Sequence, residues 1–261
     1  MESGKDMFDL TGKTALITGS TKGIGKAIAE HMALFGAKVV VSSRRADACE
    51  QVANEINNSI TSGMGEAKAI PCNITNREDL NNLVSQALEG FGKIDVLVCN
   101  AAVNVFFGSV TKIGEDAFDK TIDANIKSNL WLCRTVLPGM AERRDGVIII
   151  ISSVVGLKGS GTMGTYGITK AADIALVRNI AVEFGPRNIR CNAIIPGLVK
   201  TDFSRALWDN KEIYTTSLAR TPLGRIGMPK DIAGAAIFLA SEAGSFVTGQ
   251  TIIVDGGMTI T

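Results

Sequence analysis

Short, almost unbroken apolar runs recur along this chain, each followed by a longer stretch whose apolar residues fall three and four positions apart. The runs are KTALIT (13–18), KVVVSS (38–43), AKAIPC (67–72), DVLVCN (95–100), GVIIIIS (146–152), RCNAII (190–195) and TIIVD (251–255). They are rich in β-branched residues and do not alternate with polar ones, the pattern of strands covered on both faces. The stretches between them read as helices. In REDLNNLVSQALEGFG, Leu80, Leu83, Val84, Ala87 and Leu88 share one face, and Gly90 and Gly92 supply stop signals. This alternation predicts an α/β fold of Rossmann type: a doubly wound parallel sheet of about seven strands with helices on both faces.

No linker, repeat or compositional shift divides the chain, so one domain over residues 1–261 is expected. The segment from about 200 to 228 interrupts the rhythm before the last helix and strand. It sets Phe203, Leu207 and Trp208 among polar residues and reads as a short helical lid over the strand ends, where a substrate would bind.

Charge narrows the function classes. Basic and acidic residues number 27 and 26, giving a net charge of +1. No basic excess is present to attract nucleic acid or anionic lipid. The five cysteines (Cys49, Cys72, Cys99, Cys133, Cys191) are scattered, odd in number and form no CxxC pair. A disulfide framework or metal site is therefore not expected, and they read as small apolar residues in a reducing compartment. His31 is the sole histidine and lies in an amphipathic run, which disfavours hydrolases built on a histidine base. The N-terminal decapeptide carries charges where a signal peptide needs an apolar core, and no apolar run reaches membrane-spanning length. The final residues GMTIT are not a peroxisomal tripeptide, so a cytoplasmic location is expected.

Directly after the first strand comes Thr18-Gly19-Ser20-Thr21-Lys22-Gly23-Ile24-Gly25. A glycine turn between strand and helix aims backbone N–H groups at the positive end of the helix dipole, where a pyrophosphate binds. Gly19 permits the turn, Gly23 lets the backbone approach phosphate and Gly25 allows close helix–strand packing. Thr21, Lys22 and Ile24 complete this end of the expected cofactor site. An NAD site usually carries a carboxylate after the second strand; here the chain reads Ser43-Arg44-Arg45. Arginine binds phosphate, so NADP(H) is favoured over NAD(H), with Lys22 reaching the same phosphate.

Tyr166 and Lys170 stand one helical turn apart in TYGITKAADIALVRNIAVEF. A free phenol titrates near about 10, too high for a base at neutral pH. An ammonium about 4 Å away, at an effective dielectric near about 20, contributes roughly 4 kcal/mol, or about three pKa units. Lys170 is therefore expected to lower the Tyr166 pKa. Ser153, thirteen residues earlier, ends an apolar strand, where its hydroxyl can hydrogen-bond a carbonyl oxygen gaining negative charge.

The glycine loop, the Ser153/Tyr166/Lys170 spacing, Asn125 in DANIKSN, Pro196-Gly197 with Thr201 and the ending Val254-Asp255-Gly256-Gly257 together resemble the short-chain dehydrogenase/reductase family over nearly the whole chain. The stretches 100–109 and 196–208 resemble its NADPH-dependent carbonyl-reductase branch. The resemblance implies Tyr166 as acid/base, Lys170 on the nicotinamide ribose, Ser153 polarising the substrate and Asn125 holding a helix–water proton relay. It implies that Asn73, Ile74, Asn100, Ala101 and Ala102 line the adenosine half, and Pro196, Gly197, Val199 and Thr201 the nicotinamide end. Two positions depart from the family pattern: Ala102 replaces a glycine, and Asn73 replaces the aspartate that meets adenine.

The expected activity is reduction of a hydrophobic or aromatic ketone or dicarbonyl. The expected pocket wall comprises Phe106, Phe107, Val155, Leu157, Leu198, Phe203, Leu207 and Trp208. The alternatives are an NAD(H)-linked secondary-alcohol dehydrogenase and, in another class, a non-catalytic nucleotide sensor, against which the intact Asn125, Ser153, Tyr166 and Lys170 argue. The family also implies a homotetramer formed through helices around 115–141 and 164–184 and through the last strands.

Overall fold

The computed structural model describes residues 6–60 and 65–261. Residues 1–5, half of the decapeptide read for a signal peptide, lie outside the described residues. Among these, seven strands form one parallel sheet: β1 (Thr14–Thr18), β2 (Lys38–Ser42), β3 (Glu66–Ala69), β4 (Val96–Cys99), β5 (Gly146–Ile151), β6 (Ile189–Pro196) and β7 (Thr251–Val254). Their order is β3-β2-β1-β4-β5-β6-β7. The order reverses between β1 and β4, and in such sheets ligands bind beyond the strand ends at that point.

The unbroken apolar runs have the expected cause. Every residue of β1, β4 and β5 is buried, because helices cover both faces of the sheet. On β1, Ala15 and Ile17 join the core beneath α1 (Gly23–Leu34), α2 (Ala46–Ser59) and α9 (Pro229–Ala240). Their neighbour Leu16 points to the other core, beneath α3 (Arg77–Phe91), α5 (Ser128–Arg143) and α6 (Gly164–Phe184). The edge strands β3 and β7 are wetter, as strands with one unpaired side must be. α4 (Glu115–Ile122) runs into α5 through a π-helical turn, Asp123–Lys127. Within the segment expected to be a helical insertion, residues 205–208 and 211–219 form α7 (Arg205–Trp208) and α8 (Lys211–Ala219).

His31 on α1 bonds the Ala27 carbonyl oxygen through Nδ1 at 2.8 Å, a local helical contact. All five cysteines are free thiols in the core. Burial pushes the Cys72 thiol up to about 12 and holds Cys191 well above the ordinary thiol value.

The turn between β1 and α1 is braced from β4. Asn100 Nδ2 donates to the carbonyl oxygens of Thr18 (2.8 Å) and Gly19 (3.1 Å), while the Thr18 hydroxyl accepts the N–H groups of Asn100 and Ala101. Gly19 has φ +65°, open to glycine at little cost. A Cβ on Gly25 would lie 2.4 Å from Asn100 Nδ2 and 2.4 Å from the Gly19 carbonyl oxygen. Gly25→Ala is therefore expected to force the turn away from β4 and to destabilise the protein by about 1–3 kcal/mol, measured by denaturant or thermal unfolding.

Candidate active site

A continuous cavity of about 1180 Å³ runs over the carboxyl ends of the strands, from the glycine turn to α8. Its floor is made where α6 crosses the end of β5. Helical spacing puts Tyr166, Lys170 and Asp173 on the face of α6 turned toward the sheet, and all three are buried. Ser153, half-buried, begins the short turn after β5, its hydroxyl oxygen accepting the Val155 N–H.

Lys170 is an ammonium almost without solvent. Its Nζ donates to the Ile151 carbonyl oxygen and to Asp173 Oδ2, both at 2.8 Å. Two of its three donors are thus engaged within the protein. Asp173 accepts a second bond through Oδ1 from Asn129 Nδ2 at 2.9 Å, and Asn129 Nδ2 also donates to the Asn125 carbonyl oxygen at 2.8 Å. Burial opposes the charge on Lys170, but Asp173, with smaller help from Tyr166 and Cys99, offsets it, and the ammonium is held above the ordinary lysine value.

Tyr166 departs from expectation. Burial pushes its phenol up, Lys170 pulls it down and Asp173 pushes it up again, leaving it above the ordinary tyrosine value. Desolvation of the phenolate outweighs the lysine, whose charge Asp173 already engages. The Lys170 Nζ lies 5.7 Å from the centroid of the Tyr166 ring, and the Phe203 ring leans over the same phenol with centroids 5.9 Å apart.

Asn125 sits in the π turn, buried behind this floor rather than on the cavity wall. Its amide accepts the Val103 N–H (2.8 Å) and donates to the Val103 carbonyl oxygen (2.9 Å) and to Thr169 Oγ1 (3.0 Å). It thereby ties the loop after β4 to α6.

At the other end Gly19, Thr21, Lys22, Gly23, Ile24, Ser43, Arg44, Asn73, Ile74, Asn100, Ala101 and Ala102 line the cavity. A Cβ on Gly23 would come within 3.2 Å of Thr201, so a side chain there would fill the groove across which a dinucleotide must lie. The first-turn N–H groups of α1 have no partner within the helix and can take a phosphate. With Arg44 beside them, the residues present fit a nicotinamide dinucleotide.

Several expected residues stand elsewhere. Arg45 turns outward to an ion pair with Asp47 and does not line the cavity, since the chain has already begun its turn into α2. Gly25 lies beneath the turn. Asn73 Oδ1, expected to accept from adenine, already accepts the Thr75 N–H and hydroxyl at 3.3 and 3.0 Å. Lys22 Nζ stands 4.0 Å from Asp202 across the cavity mouth.

At the far end Phe106, Phe107, Val155, Leu198, Phe203 and Leu207 line the wall, with Pro196, Gly197, Val199 and Thr201 below them. Trp208 does not line it: its indole Nε1 donates to the Thr201 carbonyl oxygen at 2.8 Å and holds α7 down. Leu157 is exposed outside the cavity. Sequence reading missed Met163, Ile213 and Met258 on the wall and Asp173 and Asn129 under the floor. Only Asp173 carried a signal, a lone acid three residues after Lys170 in an apolar stretch.

Comparison with known proteins agrees with this geometry. A family model described as enoyl-(acyl carrier protein) reductase matches residues 19–259. The chain is 41% identical over 248 residues to human dehydrogenase/reductase SDR family member 4, covering 95% of this chain and 88% of the relative. A 7α-hydroxysteroid dehydrogenase solved with NADH and 7-oxo glycochenodeoxycholic acid superposes with a TM-score of 0.92 at 39% identity, covering 97% of both chains. A protein from Beutenbergia cavernae, described as an NAD(P)-dependent gluconate 5-dehydrogenase and holding NADP at low occupancy, superposes with a TM-score of 0.91 at 33% identity, covering 98% of this chain and all of that one. The chain belongs to the short-chain dehydrogenase/reductase family of oxidoreductases, which bind nicotinamide cofactors and act on small molecules.

Proposed function

We propose that this oxidoreductase reduces a ketone or aldehyde carbonyl to an alcohol, with NADP(H) as its preferred cofactor and a hydrophobic or aromatic ketone or dicarbonyl as substrate. The observation that carries the direction is the buried Tyr166 phenol, held above the ordinary tyrosine value and therefore protonated at neutral pH. A neutral phenol beside a bound carbonyl is a proton donor, which reduction requires and alcohol oxidation does not.

A nicotinamide dinucleotide held along the cavity would supply the hydride. The Ser153 hydroxyl and the Tyr166 phenol hydrogen-bond the carbonyl oxygen and stabilise its growing charge, and Tyr166 gives up its proton to it. Lys170 stabilises the phenolate left behind and reaches the ribose with its remaining donor. Asn125 fixes the loop that borders the site. Phe203 and Leu207, on the lid formed by α7 and α8, exclude water and match an apolar substrate, as do Phe106, Val155 and Leu198.

Preference for NADP(H) rests on Arg44, at the end of β2 where no carboxylate stands, together with Lys22. Arg45, committed to Asp47, contributes nothing to it. A homotetramer is supported by apolar side chains left in water where family interfaces are expected: Phe118, Leu130, Ile168 and Val182 on the helices, and Phe246 and Ile253 near the last strand. Among the described residues no helix is long and apolar enough to cross a membrane.

Tyr166→Phe is expected to lower kcat for ketone reduction by about 10²–10⁴-fold while the fold survives; near-parental turnover in a spectrophotometric assay overturns the mechanism. In the parent, reduction should hold level through neutral pH and fall as pH rises through the Tyr166 pKa, because the proton donor is then lost. Arg44→Asp with Lys22→Ala should raise the KM for NADPH about tenfold or more and leave that for NADH nearly unchanged, read from initial rates with each cofactor. Light scattering should give the mass of four chains.

A further inference from the structure

Asp173, the acidic half of the ion pair beneath the floor, has no part in the chemistry described so far. Asp173 is buried on α6, bonded to Lys170 at 2.8 Å and to Asn129 at 2.9 Å. A carboxylate so placed is costly to desolvate, and removing either partner of such a pair leaves an uncompensated charge in the core. Its second bond runs through Asn129 to the carbonyl oxygen of Asn125, so one chain of side chains links Lys170 to the turn that borders the site. Lys170 needs no help from Asp173 to be held in position alone, since the Ile151 carbonyl oxygen already accepts from it. What Asp173 adds is a negative charge in direct contact with the ammonium.

We propose that Asp173 is a positioning residue that governs how strongly Lys170 acts on Tyr166, keeping the buried ammonium charged while countering part of its field at the phenol. Tyr166 thereby stays a proton donor instead of a standing phenolate. The inference rests on the reading of Tyr166 as the acid.

The neighbourhood holds little else that can compete. On α6 the facing titratable groups are Tyr166, Lys170 and Asp173 themselves. β4 contributes Cys99, β6 contributes Cys191 and α5 contributes Cys133; β5 offers only the Ile151 carbonyl. The Cys99 hydrogen bond to Cys133 and burial hold the Cys99 thiol well above its ordinary value, and burial does the same for Cys191, so both stay neutral. Asn125, Asn129 and Thr169 carry no charge. The charge balance at Tyr166 is set by Lys170 and Asp173.

The chain has two tyrosines, which makes the test direct. In a Tyr214→Phe background, ultraviolet absorbance reports ionisation of Tyr166 alone, in cofactor-free protein and without turnover. Adding Asp173→Asn, which keeps size and hydrogen bonding but removes the charge, should move the tyrosinate midpoint to lower pH by about one unit. The alkaline limb of kcat for reduction should move the same way. Asp173→Glu should restore the parental midpoint to within a few tenths of a unit.

An unmoved or raised midpoint in folded Asp173→Asn protein, or equal shifts in the Asn and Glu variants, overturns the proposal. A merely structural role would lower kcat at every pH and leave the limb where it was. Should Asp173→Asn fail to fold, Asp173→Ser takes its place: it also removes the charge, so the midpoint should again fall, and no movement in folded protein refutes the idea. Active Tyr166→Phe protein would refute the acid assignment while leaving the titration result intact, so the two failures are separable.

Discussion

A charged side chain inside the protein must be paired, and Lys170 is the charge around which this site is assembled. Its two partners come from different elements, the Ile151 carbonyl oxygen at the end of β5 and Asp173 one turn along α6. Satisfying the ammonium therefore ties α6 to the end of β5. The Ser152 hydroxyl adds a further tie by donating to the Lys170 carbonyl oxygen at 2.8 Å. Tyr166 and Ser153 inherit their positions from this crossing, one from the helix and the other from the strand end. Polar groups so buried hold geometry firmly because every alternative leaves a donor or acceptor unmet.

Much of the fold was legible because burial on both faces writes itself into composition. β1, β4 and β5 are apolar at every position or nearly so, and all seven strands fall within or beside the apolar runs. β3 was the least distinct: it spans Glu66–Ala69, starting one residue before the AKAIPC run and stopping halfway along it, because an edge strand needs fewer apolar residues and Pro71 cannot donate to a ladder. The lid helices were legible only as a break in rhythm.

The site was legible where chemistry follows chain spacing and obscure where it depends on what lies beyond the chain. Tyr166 and Lys170 share a face by helical geometry alone. The sign of the Tyr166 shift did not follow, since desolvation and Asp173 are tertiary facts. Asp173 was passed over because its importance depends on Asn129, which reaches it from another helix, α5. Arg44 and Arg45 are indistinguishable in sequence; one residue of advance into α2 sends the first into the cavity and the second to Asp47. Asn100 lines the cavity as expected, yet its amide is spent on bracing the glycine turn.

That brace has a thermodynamic consequence. The turn is held in shape by Thr18 and Asn100 from within the protein, so little of it is left to order when a dinucleotide binds. Little chain entropy remains to be lost there on association, and little is regained on departure. At the other end of the cavity Phe203 is half-exposed, and α7 is tied down through the Trp208 bond to the Thr201 carbonyl oxygen. The two ends of one cavity are thus held differently, the first by an amide bonded to the backbone of the glycine turn and the second by an indole bonded to a loop carbonyl.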